Sequence, residues 1–161
     1  LEKVNPSHPM LGQSEILYSP VGSSHEQAIV KLNAANFFTA PSSEILLNRF
    51  AAILSTATMS TRLYAAGTEG FIGAAVNVAA RYGVKSASIV KEHRGSLRRR
   101  VQCVHCKGFN SDITASPFHC EHCKLYLFVR DHFSTRLNAF QGVCVNAEEP
   151  HLFPEPVELY Q

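Results

Sequence analysis

The chain has 161 residues, a formal net charge of +2 and a hydrophobic fraction of 45%. This length suits one ordinary domain or a small domain with an added module, and the composition excludes wholesale disorder. The small net charge does not indicate nucleic-acid binding, and no apolar run reaches the roughly 20 residues that a membrane-spanning helix needs.

The N-terminal half is predicted to be an α/β domain of residues 14–96, preceded by an extended arm of residues 1–13. Residues 15–22 form a short apolar run typical of a buried strand, and the segment AIVKLNAANFFTA is predicted to be extended as well. Ser42 or Ser43 can cap the helix that follows. Four apolar side chains of that helix share one face: Leu46, Phe50, Ile53 and Leu54.

The same half continues with a predicted strand at residues 62–66 and a helix that Thr68 can cap. Gly83 supplies the left-handed residue that ends this helix, and SASIV is predicted to be the next strand. A strand, a helix and a strand with short connections predict a βαβ unit with a parallel sheet. The apolar stripe of the helix consists of Ile72, Ala75, Val76 and Ala79.

Residues 97–145 contain four of the five cysteines, arranged as two C-x-x-C pairs. Two such pairs can direct four thiolates into one tetrahedron, the arrangement that structural Zn²⁺ sites use. A lobe of this size does not fold on core burial alone, so a bound metal would supply much of its stability. The sequence therefore predicts a zinc-ribbon lobe. Its ligands are Cys103, Cys106, Cys120 and Cys123.

Other chemistry for these cysteines stays open. One of His105, His119 or His122 can replace a thiolate, and four thiolates also bind iron in electron-transfer proteins. Glycine commonly follows the cysteine pairs of such iron sites, whereas Lys107 and Lys124 follow them here. A cysteine set of this kind fits a reducing compartment, and LEKVNPSHPM is no signal peptide, so we expect a cytoplasmic protein.

The remainder of the lobe is predicted to hold a strand at KLYLFVR and a short helix at DHFSTRLNAF that ends at Gly142. In that helix Phe133, Leu137 and Phe140 share one face. Residues 146–161 contain three prolines and four glutamates, which predicts an extended acidic tail.

Three glycines lie at the start of the second helix, in the segment AAGTEGFIGAA. Their spacing differs from the G-x-G-x-x-G fingerprint of dinucleotide-binding folds, so Gly67, Thr68 and Gly70 are only weak candidates for cofactor binding. The other interpretation is a tight turn with small residues for close packing.

The segment RLYAAGTEGFIGAAVNVAARYGVKSASIVKEHRG resembles the last strand–helix–strand of the nucleotide domain in ferredoxin–NADP reductase-like flavoenzymes. Ala66, Gly67 and Thr68 occupy the places of a "CGP" turn in that family, without its cysteine and proline. The resemblance implies a truncated, degenerate reductase-like half.

The cysteine pairs are followed by L-x-V-R-D-H-F-S-x-R-L-x-A-F-x-G-V over residues 127–143, which resembles the small DmmA-type subunits of bacterial dimethylamine monooxygenase. That resemblance implies a hetero-oligomer that uses NADPH and O₂ to convert dimethylamine to methylamine and formaldehyde. It places haem, FMN and a 2Fe–2S centre on partner subunits, and assigns this chain a structural role in assembly through its zinc site.

We expect Arg130, Asp131, His132 and Arg136 to lie at a subunit contact, because they concentrate charge beside an apolar stripe. Local salt bridges within the lobe are the alternative role. Two other functions remain open: an electron-transfer subunit with an iron or nucleotide site, and a zinc ribbon that binds nucleic acid. Arg98, Arg99 and Arg100 favour the second, whereas the acidic tail opposes it.

Overall fold

A computed structural model of the chain describes residues 9–20, 25–151 and 153–161. The fold is mixed α/β and comprises two compact units, one up to Thr61 and one from Arg62 onward. Within the described residues, no helix combines the length and the apolar character needed to cross a bilayer.

The first unit contains a pair of parallel strands, with Ile16 opposite Phe37. Strand β1 (Glu15–Tyr18) begins where the apolar run predicted it, while the end of that run, with Gly22, lies outside the described residues. The segment predicted to be extended instead forms a short helix before its strand. The elements are β1 (Glu15–Tyr18), α1 (Glu26–Val30), β2 (Asn36–Thr39) and α2 (Ser43–Leu54).

Helix α2 begins as predicted, because the Ser42 side chain accepts a hydrogen bond from the Ile45 amide. Its buried residues are Leu46 and Leu54, on the predicted apolar face. The arm ahead of β1 holds a 3₁₀ turn at Pro9–Gln13, and residues 1–8 lie outside the described part of the chain.

The second unit begins with the predicted order of strand, helix and strand: β3 (Leu63–Gly67), α3 (Glu69–Arg81) and β4 (Ile89–His93). The segment SASIV, predicted to be a strand throughout, starts with a 3₁₀ turn at Ser86–Ser88, so β4 begins only at Ile89. Strands β3 and β4 are parallel, with Leu63 opposite Ile89. The Thr68 hydroxyl caps α3 by accepting from the Phe71 amide, and Gly83 has the left-handed φ of +79° that ends the helix.

A five-stranded sheet follows, with strands β5 (Arg99–Cys103), β6 (Phe109–Ile113), β8 (Phe118–His119), β9 (Tyr126–Ser134) and β10 (Ala139–Cys144). Their order in the sheet is β6-β5-β10-β9-β8. The only parallel pair of this sheet is β5 with β10, in which Val101 lies opposite Phe140.

The prediction of a short helix at DHFSTRLNAF is wrong, because the segment forms parts of two strands. Strand β9 continues to Ser134, a tight turn follows, and β10 begins at Ala139. The aromatic spacing that suggested a helical face reflects strand pairing, because Phe133 lies opposite Phe140 with ring centroids 5.1 Å apart. Asn138 adopts a left-handed φ of +49° in the turn, which asparagine tolerates better than most residues.

The segment predicted to be an extended tail starts with turns and bends up to His151, and its part from Phe153 onward packs into the fold. Strand β11 (Val157–Glu158) pairs antiparallel with β7 (Ala115–Ser116). Tyr160 is buried in a cluster with Val101, Val129 and Phe140. The end of the chain is therefore part of the core of the second unit.

Candidate metal centre

The four cysteines of the C-x-x-C pairs converge on one point. Their sulfur atoms all lie within 4.8 Å of one another, and the metal-ligand cluster found in the described residues consists of these cysteines alone. Cys103 and Cys123 have sulfurs 3.8 Å apart, and the sulfurs of Cys106 and Cys120 are 3.7 Å apart. The spacing in the sequence therefore predicted the cluster correctly.

The first loop, which carries Cys103 and Cys106, is closed by three backbone features. The Cys103 amide donates to the Gly108 carbonyl at 2.9 Å, and the Lys107 amide donates to the Cys103 carbonyl at 3.0 Å. Lys107 has a left-handed φ of +63°, and its ammonium group donates to the Val104 carbonyl at 2.6 Å.

The second loop repeats this geometry. The Cys120 amide donates to the Leu125 carbonyl at 2.9 Å, the Lys124 amide donates to Cys120 at 3.0 Å, and Lys124 has a φ of +62°. Its ammonium donates to the Glu121 carbonyl at 2.8 Å. Both lysines thus adopt the conformation for which glycine is usual, so the lack of glycine does not separate a zinc site from an iron site.

The cluster is embedded in apolar packing. The Cys103 and Cys120 side chains are fully buried against Leu127, with Phe118 and Leu125 beside them, whereas Cys106 and Cys123 are half-buried. The cluster is therefore closed by apolar side chains on the side of Cys103 and Cys120 and is partly exposed on the side of Cys106 and Cys123.

The thiols of the cluster differ in acidity. Burial disfavours the Cys120 thiolate, but the backbone amides of Cys123 and His122 outweigh it and lower the pKa of Cys120 to about 6. A backbone hydrogen bond at Leu125 favours the Cys123 thiolate, but burial and the neighbouring thiols raise the pKa of Cys123 to about 12. A cation bound at the centre of the cluster would favour the Cys123 thiolate, which the neighbouring thiols disfavour.

The nearby histidines contact backbone carbonyls. The His122 Nε2 atom lies 2.9 Å from the Phe109 carbonyl oxygen, and the His119 Nδ1 atom lies 3.2 Å from that of Lys124. Neither these rings nor His105 belong to the cluster of metal-ligating atoms in the described residues. The geometry therefore favours four sulfur ligands.

The four residues predicted to contact a subunit all lie on the exposed surface. Asp131 forms an ion pair with Arg99 at 2.6 Å, which fits the alternative role of a local salt bridge. Within the described part of the chain, the side chains of Arg130, His132 and Arg136 have no hydrogen-bond or ion-pair partner. These three are available for an external contact.

Two of the three consecutive arginines are used inside the second unit. The Arg99 guanidinium lies between the Phe140 and Tyr160 rings, 3.9 and 4.0 Å from their centroids. Arg100 stacks on Phe109 at 3.8 Å and donates to the Leu137 carbonyl at 2.8 Å. Arginines that stack on rings and donate to carbonyls within the protein are not positioned to bind the phosphates of a nucleic acid.

Of the weak cofactor candidates, Gly67 ends β3, Thr68 caps α3 and Gly70 lies in its first turn. The Phe71 ring lies against Gly67, whereas nothing lies within 4 Å of a Cβ added at Gly70. Asn138 donates from Nδ2 to the Gly70 carbonyl at 2.7 Å, and its side chain occupies the position that a Cβ at Gly73 would need. The Asn138 Oδ1 atom is buried without a hydrogen-bond partner among the described residues. No local sequence pattern pointed to Asn138, because its partner Gly70 lies 68 positions away along the chain.

Two family models match the chain. The N-terminal domain of dimethylamine monooxygenase subunit DmmA-like proteins matches residues 3–89, and the C-terminal domain of the same proteins matches residues 100–143. No solved structure matches the chain.

A curated relative, the heme-dependent oxidative N-demethylase delta subunit of Ectopseudomonas mendocina (strain ymp), is 33% identical over 103 residues, which are 64% of this chain. The match spans 59% of that relative's length. Because the N-terminal family model alone covers more than half of the residues, the chain belongs to the family of DmmA-like subunits of dimethylamine monooxygenase.

Proposed function

We propose that this chain is a non-haem subunit of an NADPH-dependent dimethylamine monooxygenase, which converts dimethylamine to methylamine and formaldehyde. Family membership and the relative named as a delta subunit of a heme-dependent oxidative N-demethylase support this role. In this proposal haem, FMN, the 2Fe–2S centre and NADPH belong to partner subunits, and the chain acts in assembly in the cytoplasm.

The convergence of four cysteine sulfurs is the observation that best supports a structural role for the metal centre. Four thiolates within 4.8 Å fill a tetrahedron, whereas a catalytic zinc keeps one position open for water or substrate. We therefore propose that Cys103, Cys106, Cys120 and Cys123 hold one Zn²⁺ that fastens the lobe of residues 97–145 as a zinc ribbon.

A docking role for the hairpin of β9 and β10 completes the proposal. Arg130, His132 and Arg136 are exposed and unpaired within the described residues, and Asp131 is held by Arg99. We propose that these residues contact another subunit of the complex. The truncated reductase-like half, supported by the parallel βαβ unit, supplies the other part of the scaffold.

An electron-transfer subunit is the second candidate, because the same four thiolates accept iron. The absorption spectrum of the purified chain separates the two functions, because iron–thiolate centres absorb visible light, whereas a zinc tetrathiolate is colourless.

The decisive experiment is tagging the chain in its native source and purifying it with its partners, followed by metal and cofactor analysis. We expect a haem protein and a flavoprotein to co-purify, and the separated chain to be colourless with about one zinc bound. A chain that oxidises dimethylamine alone, or that purifies without a haem protein, contradicts the proposal.

A further inference from the structure

Asn110 on β6 is a fully buried polar residue beside the cysteine cluster. Its Nδ2 atom donates to the Val101 carbonyl at 3.4 Å and to the Cys120 sulfur at 3.7 Å. Its Oδ1 atom accepts a hydrogen bond of 2.8 Å from the Glu121 amide. Both kinds of polar atom in the side chain are therefore satisfied inside the protein.

These contacts join the two cysteine loops. Val101 precedes the first loop on β5, whereas Cys120 and Glu121 begin the second loop. A side chain here needs an acceptor for the Glu121 amide and donors for a carbonyl and a sulfur. Aspartate lacks the donors and leucine lacks both, so an amide of this length meets the requirement.

We propose that Asn110 is a positioning residue of the metal centre, which fixes Cys120 and donates a hydrogen bond to its thiolate when the ion is bound. This inference rests on the metal site of the proposed function. Groups that hydrogen-bond to metal ligands set the ligand orientation and its donor strength. A hydrogen bond from a neutral amide to a thiolate is also stronger than one to a neutral group.

The first test uses the full-length chain with Asn110→Asp, which preserves the acceptor for Glu121 and removes the donors. We expect the affinity for Zn²⁺, measured by chelator competition, to fall by about 10- to 100-fold. With Co²⁺ in the site, we expect the sulfur-to-metal charge-transfer band to move to longer wavelength, because the sulfur loses a hydrogen bond. A merely structural role for Asn110 would leave the band of the bound ion unchanged.

Asn146→Asp is the matched control. Asn146 is half-buried and accepts from the Cys144 thiol at 3.1 Å, outside the cluster, so the same change of charge should leave both readouts at wild-type values. Wild-type affinity and an unshifted band in Asn110→Asp would overturn the proposal.

A measurement on the unmodified protein covers the case in which Asn110→Asp does not fold. With ¹¹³Cd in the site, a hydrogen bond to the Cys120 sulfur transmits scalar coupling from the metal to one side-chain amide proton of Asn110. We expect that coupling, and its absence overturns the proposal. Failure of ¹¹³Cd or Zn²⁺ to bind at all would instead overturn the metal site of the proposed function.

Discussion

The Asn138 side chain of the hairpin turn packs against α3 at Gly73. A Cβ at this position would overlap the Asn138 side chain, which is held by its bond to the Gly70 carbonyl. At Gly70, by contrast, nothing lies within 4 Å of an added Cβ. Both glycines are helical, so both gain intrinsic helix propensity on replacement by alanine.

We therefore expect Gly73→Ala to be less stable than Gly70→Ala by about 1–3 kcal/mol, because only the former displaces a packed side chain and breaks its hydrogen bond. Denaturant unfolding of the two variants measures the difference. Equal free energies of unfolding would show that Asn138 does not pack against α3.

The sequence revealed the residues whose function depends on local geometry. The C-x-x-C spacing predicted all four candidate ligands, and the caps Ser42 and Thr68 act on amides three residues away. Asn138 and Gly70 are 68 positions apart, so no local pattern links them. Asn110 was not predicted for a similar reason, because its proposed role depends on contacts that form only when the two cysteine loops come together.

The C-terminal segment offers a test of packing between elements. Tyr160 is buried and stacks on Arg99, and the Leu159 and Tyr160 amides both donate to the Thr114 carbonyl at 2.9 Å. We expect Tyr160→Ala to lower the free energy of unfolding by about 3 kcal/mol, as removal of a large buried ring usually does.

Tyr64→Ala is the control for this change, because Tyr64 lies in the same unit and is 60% exposed. Its effect should stay within about 0.5 kcal/mol in the same urea titration. A Tyr160→Ala variant as stable as Tyr64→Ala would place the segment outside the core.

Some secondary-structure elements were predicted correctly from the sequence, and others were not. The βαβ unit was predicted correctly because its helix carries caps at both ends and a long apolar stripe. DHFSTRLNAF is too short for periodicity to separate helix from strand. What decides its structure is β5, where Val101 pairs with Phe140 from almost forty positions away.

The domain boundaries remain a prediction, because two divisions of the chain disagree. Contacts within the structure group the βαβ unit with the five-stranded sheet from Arg62 onward. The family models instead divide the chain between residues 89 and 100, close to the predicted boundary at 96–97. Sequence relatives and spatial contacts therefore assign the βαβ unit to different halves.

Loss of the metal should affect assembly of the complex as well as turnover. Cys120→Ser removes one of the proposed ligands, a sulfur that is buried against Leu127, so we expect the lobe to lose its ordered structure and the chain to be lost from the complex. Cys144→Ser is the control, since this thiol lies outside the cluster. Size-exclusion chromatography of the purified complexes shows whether the chain is still bound. Normal assembly of Cys120→Ser would contradict the proposal that the metal stabilises the lobe for assembly.

The proposed contact surface can be tested without disturbing the fold. Arg130 and Arg136 are exposed and have no side-chain partner in the described residues, so reversing both charges to glutamate should change the stability of the isolated chain by less than about 0.5 kcal/mol. Asp131 is left unchanged because it pairs with Arg99.

The same double variant should lose its partner subunits, because a charged contact that fits two arginines repels two carboxylates. Replacement of Arg81 and Lys85 by glutamate is the matched control, since Arg81 ends α3, Lys85 follows it, and both are exposed and carry the same total charge. Co-purification of the haem protein, measured by its absorbance relative to the tagged chain, reports the outcome. If Arg130 and Arg136 tolerate reversal as well as Arg81 and Lys85 do, the hairpin is not the docking surface, and a subunit contact has to be sought elsewhere on the chain.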